Sequence, residues 1–184
     1  MNIRLVIKLM IVAFAAVFAL GLAGPADAAS SGNTTTTFAV NSGALGITVP
    51  ATANLGSGNP GTSISAALGG VTVTDNRALL TASWTATATS TSFTTGGGTA
   101  PETIANTAVS YWSGAATATS GSGTFTPGQA NAGAAVAMGT SVTAFTLTGG
   151  VGDNSASWNP TLVIAVPAAA VGGTYTGTIT HSVA

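Results

Sequence analysis

Apolar and polar residues alternate through most of the chain beyond residue 33. In VTVTD (71–75), Val71 and Val73 fall on one face, Thr72 and Thr74 on the other. In LTASWTATA (80–88), Leu80, Ala82, Trp84, Ala86 and Ala88 share a face opposite Thr81, Ser83, Thr85 and Thr87. Successive side chains of a strand point to opposite sides, and β-branched residues suit the pleat. A two-residue period rich in threonine therefore predicts half-buried β-strands. Glycine and proline punctuate the runs at GSGNPG (56–61), TTGGG (94–98) and GSG (121–123). Many short strands with frequent turn signals predict an all-β fold, an antiparallel β-sandwich of Ig-like or jelly-roll-like type. No amphipathic helix is predicted after the leader; the alanine-rich 130–138 has room for a turn or two before glycine interrupts it.

One pattern occurs twice. ITVPATANLG (47–56) and IAVPAAAVGG (164–173) both fit I-x-V-P-A-x-A-x-x-G. Proline cannot donate to a strand ladder, so each copy predicts a strand ending at the proline, a short bend, and a glycine opening the next strand. The closing stretch GTYTGTITHSVA (173–184) alternates as well, with Tyr175, Ile179, His181 and Val183 on one face and Thr174, Thr176, Thr178 and Thr180 on the other.

The first residues follow a different plan. Arg4 and Lys8 precede an apolar run from Leu9 to about Ala23, then Gly24-Pro25 and the small residues Ala26-Asp27-Ala28. This is the layout of a secretory signal peptide over residues 1–28, cleaved after Ala28 or Ala29. Its run is short for a membrane span of about 20 residues, and no second run of that length follows. The expectation is a leader, a flexible lead over 29–37 and a single sandwich domain over 38–184. Extracellular or wall-associated, the mature chain would have no membrane span.

Removal of the leader leaves one cation, Arg77, against Asp75, Glu102 and Asp153, a net charge of −2 with no lysine. A chain this poor in basic residues has no means of holding nucleic acid or an anionic membrane face. Absence of cysteine excludes disulfides, a thiol nucleophile and a lipid-modified cysteine. About 155 residues can bury enough apolar surface to fold without such staples.

Candidate chemistry is sparse. A serine or threonine nucleophile needs a base, and His181 is the single histidine. Alternation puts it on the apolar face of the closing strand, where a packed imidazole is the simpler expectation. Asp75 stands two residues from Arg77, which predicts a local ion pair. Glu102 and Asp153 lie in loop-like and turn-like sequence, and nothing in their spacing points to a glycosidase pair or a calcium site. No cofactor or metal is implied. Trp84, Tyr111, Trp112, Trp158, Tyr175 and His181 remain as candidate contacts to a glycan, being large rings in a chain of small residues. Tyr111 and Trp112 are adjacent, so they point to opposite faces and one of them can meet solvent.

Two stretches carry a resemblance: VTVTDNRALLTASWTA (71–86) and PTLVIAVPAAAVGGTYTGTITHSV (160–183). They resemble the WxL-domain surface proteins of Gram-positive bacteria, more closely their actinobacterial WxL-like relatives. Val73, Asp75, Arg77 and Trp84 match the first part of the pattern, with Ala86 where leucine stands. Val166, Pro167, Gly173 and Tyr175 match the second, with His181 in the slot of the final tryptophan and Val183 for leucine. The matching motifs cover about 40 residues. The resemblance implies a non-enzymatic surface protein, held non-covalently at the wall by binding peptidoglycan. The alternatives from the residues are a self-associating coat or adhesin subunit, which would partner other surface proteins, and a secreted hydrolase. The last residues hold no sortase motif, apolar tail or basic anchor, which agrees with non-covalent retention or free secretion.

Overall fold

The computed structural model describes residues 31–184; the leader expected over 1–28 lies outside them. The chain divides into a unit ending at Ala39 and a unit from Val40 to Ala184. Residues 31–39 carry no strand or helix, and all are exposed.

The second unit is an antiparallel β-sandwich. In chain order its strands are β1 (Leu45–Thr48), β2 (Ser63–Ala67), β3 (Val71–Asp75), β4 (Ala82–Ser90), β5 (Phe93–Thr94), β6 (Thr103–Ile104) and β7 (Val109–Trp112). There follow β8 (Ala116–Ser120), β9 (Thr124–Pro127), β10 (Val136–Ala137), β11 (Val142–Gly150), β12 (Asn154–Trp158), β13 (Thr161–Ala165) and β14 (Ile179–Val183). Sheet 1 runs β1-β3-β12-β8, sheet 2 runs β10-β7-β13-β2, sheet 3 runs β14-β4-β11-β9, and β5-β6 form a ribbon.

Sheets 1 and 2 are joined by three short corners. β2 passes to β3, β7 to β8 and β12 to β13, and the order β2-β13-β7 repeats as β3-β12-β8. Sheet 2 thus continues sheet 1 with the strand order kept. The corners use residues that tolerate a bend: Gly69 and Gly114 at φ +99° and +75°, and Pro160, which has no N–H to leave unpaired. Leu68 N–H donates to Pro160 O at 2.8 Å and Gly69 N–H to Asn159 Oδ1 at 3.1 Å, stitching two corners together.

Burial follows the alternation. Val71 and Val73 on β3 are fully buried, as are Ala86 and Ala88 on β4. Across sheet 3, Ala86 stands opposite Phe145 and Trp84 opposite Leu147. The Phe145 ring stacks on Trp158 of sheet 1, centroids 5.0 Å apart and planes at 23°. Burying each large apolar side chain stabilises the fold by about 1.5–3 kcal/mol.

The structure departs from the sequence reading in three places. Leu80 does not join the buried face of β4; it lies in the turn after Ala78 and is 81% exposed. The closing strand is shorter than its pattern: Thr176 makes one isolated bridge to Thr94, and regular pairing starts at Ile179. Both prolines of the repeated pattern do follow strand ends, but its glycines open no strand, because Gly56 precedes β2 by several residues and Gly173 precedes β14 likewise. The alanine-rich stretch agrees with its reading: it makes a single 3₁₀ turn, Ala132–Ala134, capped by the Asn131 side chain.

Candidate functional site

The six candidate rings separate into a buried group and a solvent-facing group. Trp84, Tyr111 and Trp158 are buried, at no more than 2% exposure. A polymer outside the molecule does not reach them, so as direct glycan contacts these three are corrected. Tyr111 and Trp112 point to opposite faces of β7 as expected, with Trp112 on the solvent side.

The buried rings bind the three sheets to one another. Trp158 Nε1–H, from sheet 1, donates to Tyr111 Oη at 3.3 Å. Tyr111, from sheet 2, lies 3.2 Å from His181 Nε2 on β14 of sheet 3. Indole is a donor only, so the tyrosine hydroxyl accepts from Trp158; between the hydroxyl and His181 Nε2 the donor is set by the imidazole tautomer. Burial pushes the His181 pKa down to about 4 and the Tyr111 pKa up to about 12, so both are neutral at pH 7. A value that low leaves His181 a poor proton acceptor at pH 7.

Asp75 and Arg77 form the expected ion pair, and it is bidentate: Nε to Oδ1 at 2.8 Å and Nη2 to Oδ2 at 2.9 Å. Arg77 Nη2 also donates to Ser83 O at 2.8 Å, tying the turn to the start of β4. Asp75 is fully buried on β3. Its side-chain bond with Arg77 holds its carboxyl below the usual range. Asn154 Nδ2 donates to Asp75 Oδ2 at 3.3 Å, while Asn154 Oδ1 accepts from Trp84 Nε1 at 2.8 Å. The D-x-R and W positions of the sequence pattern therefore meet in one internal network. Asn154 opens β12 and links them. Glu102 accepts from Thr99 N–H at 2.9 Å and Thr99 Oγ1 at 2.7 Å; those bonds lower its pKa.

The partly exposed rings are Trp112, Tyr175 and His181. Trp112 lies on the outer face of sheet 2. Thr161 sits beside it in register on β13, and Ala67 beyond that on β2. The next row on the same face is Ser110, Val163 and Ser65. One indole is thus set among hydroxyls and small apolar groups, with no charge in these rows. The Trp112 Nε1–H is buried and has no partner among the described residues.

Tyr175 edges a separate feature. Both copies of the repeated pattern line one cleft of about 620 Å³, residues 53–56 from the first and Ile164, Val166 and 170–173 from the second. Phe93 and Ile104 lie at its base, and no charged residue lines it. Tyr175 Oη donates at 3.0 Å to Pro101 O or Val171 O, which holds the ring against the cleft wall. A smaller pocket of about 190 Å³ shares Leu55 and Phe93 with the cleft and reaches His181. Nothing in the sequence signalled this cleft beyond the repeat itself.

Among the described residues no group of three or more His, Cys, Asp or Glu side chains is placed to hold a metal ion, and no helix is long and apolar enough to cross a membrane. Comparisons with protein-family models, with curated proteins and with solved structures returned no match.

Proposed function

We propose that the protein is a secreted, non-enzymatic cell-surface protein that associates non-covalently with the cell wall and contacts neutral glycan through the outer face of sheet 2. The supporting observation is the setting of Trp112, a partly exposed indole flanked in register by Thr161 and Ala67 on an uncharged sheet face. An aromatic face with neighbouring hydroxyls offers the two features a sugar ring uses: apolar C–H surface to stack on and hydrogen-bond partners for its rim. His181 agrees with a non-catalytic reading, because its Nε2 is engaged by Tyr111. The test is retention on purified wall material. Trp112→Ala should lower retention by about tenfold, the effect of losing one stacking contact of about 1.4 kcal/mol. Equal retention of this variant and the parent protein would refute the assignment.

A second reading, a self-associating coat or adhesin subunit, is favoured by β8. This strand ends sheet 1, all five of its residues are exposed, and it carries neither charge nor proline. Natural sheet edges are usually blunted by such residues. Sedimentation of the Thr117→Lys/Thr119→Lys variant against the parent protein tests it; a parent that stays monomeric at every concentration refutes it.

A further inference from the structure

The stretch TTTTFAV occupies residues 34–40. None of these residues pairs in a strand, and all are exposed. Phe38 is 92% exposed and Val40 77%. Two residues apart, they fall on one side of an extended chain. β-Branched and aromatic residues without charge give the segment the composition of a strand that lacks a partner. Large apolar side chains held this far into water are a cost unless something covers them.

The cleft has the complementary character. Its volume is about 620 Å³, its apolar lining includes Leu55, Ile164 and Val171, and no charged residue lines it. Gly56 and Gly172 lie on it, and an added Cβ at either would meet nothing within 4 Å, so side chains there do not hold off an incoming backbone. Peptide recognition by an extended strand needs these two properties, main-chain access and pockets for alternate side chains.

We infer that residues 34–40 of one copy lie along the cleft of a second copy, with Phe38 and Val40 seated against its apolar lining. The contact uses different surfaces on the two partners, so it is head-to-tail and can propagate into chains of molecules. Neither surface is charged, so association should change little with salt. The contact leaves out both Trp112 and β8, so it stands or falls separately from the wall-binding reading and from association through the strand edge.

The chain has no cysteine, which makes cross-linking a clean test. Two single variants are prepared, Ala39→Cys, which keeps both apolar anchors, and Val171→Cys in the cleft. Mixed under mild oxidation, they should give a covalent heterodimer several times more abundant than Ala39→Cys mixed with a control, Leu80→Cys. Sedimentation should show Phe38→Ser/Val40→Ser weakening association by about tenfold or more. Thr117→Lys/Thr119→Lys should leave both results unchanged. The inference is overturned if cross-linking to Val171→Cys is no higher than to the Leu80→Cys control. It is also overturned if an Ala39→Cys/Val171→Cys double variant closes only within its own chain at every concentration.

Discussion

Tyr111 Oη and His181 Nε2 stand 3.2 Å apart, and the hydroxyl between Trp158 and this imidazole joins a side chain from each of the three sheets. Burial at this contact favours the neutral histidine. Its folded pKa, about 4, is below the ordinary value near 6.5 because burial disfavours the charged form. Between those values the unfolded chain binds more protons than the folded one. Stability is therefore full above about pH 6.5 and falls as pH drops toward 4, by on the order of 3 kcal/mol. Urea denaturation at pH 7.0 and pH 5.0 should show a lower midpoint at pH 5.0, and His181→Leu should remove most of that difference.

Asp75 predicts loss at a lower pH. Its carboxyl is held below the usual range, first by the Arg77 side chain, so its contribution is present above about pH 4 and fades as pH falls further. Arg77→Ala leaves a fully buried carboxylate with Asn154 as its remaining side-chain partner. Because the Arg77 side chain is 30% exposed, water can replace part of its role, and its loss costs about 1–3 kcal/mol. Thermal melts at pH 7 should show this loss, and a double variant, Asp75→Asn with Arg77→Ala, should recover part of it because no buried charge remains.

Much of the fold was legible because alternation reports directly on burial. VTVTD and ASWTATATS display their inward faces in the letters, and the Asp75–Arg77 pair needs only two residues of spacing. The ends of strands were less legible. Leu80 fits the pattern of β4 yet stands in a turn, because period two does not say where pairing stops. The site was harder. Tyr111, Trp158 and His181 come from three sheets, and no local pattern announces that their polar atoms meet. Of the six candidate rings, alternation put Trp84 with the inward face of β4 and His181 on the apolar face of the closing strand, and adjacency on a strand set Tyr111 and Trp112 on opposite faces. The cleft is assembled from two distant copies of one motif, and its existence depends on how their corners pack.

Ala78 has φ +52°, the left-handed region that a Cβ makes unfavourable. It lies in the turn that carries Arg77 back to β4. Glycine removes the clash there but adds freedom to the unfolded chain. The first effect, about 1–2 kcal/mol, exceeds the second, about 0.5–1 kcal/mol. Ala78→Gly should therefore raise stability by up to about 1 kcal/mol. Denaturant midpoints measure it, and a lower midpoint for the variant would count against strain at this turn.

The two tryptophans on either side of the bent sheet should respond differently to the same change. Trp158 is fully buried, stacks on Phe145 and donates to Tyr111. Phenylalanine there deletes the donor, shrinks the ring and opens a cavity, at a cost of about 2 kcal/mol or more. Trp112 is partly exposed, and its Nε1–H makes no bond among the described residues, so Trp112→Phe loses no hydrogen bond and should cost under about 1 kcal/mol. It also keeps an aromatic face for stacking. On wall material Trp112→Phe should hold most of the parent's retention where Trp112→Ala does not, while Trp158→Phe should lower the melting temperature and leave retention of the folded fraction intact. Loss of retention in Trp158→Phe without loss of stability would move the binding surface away from sheet 2.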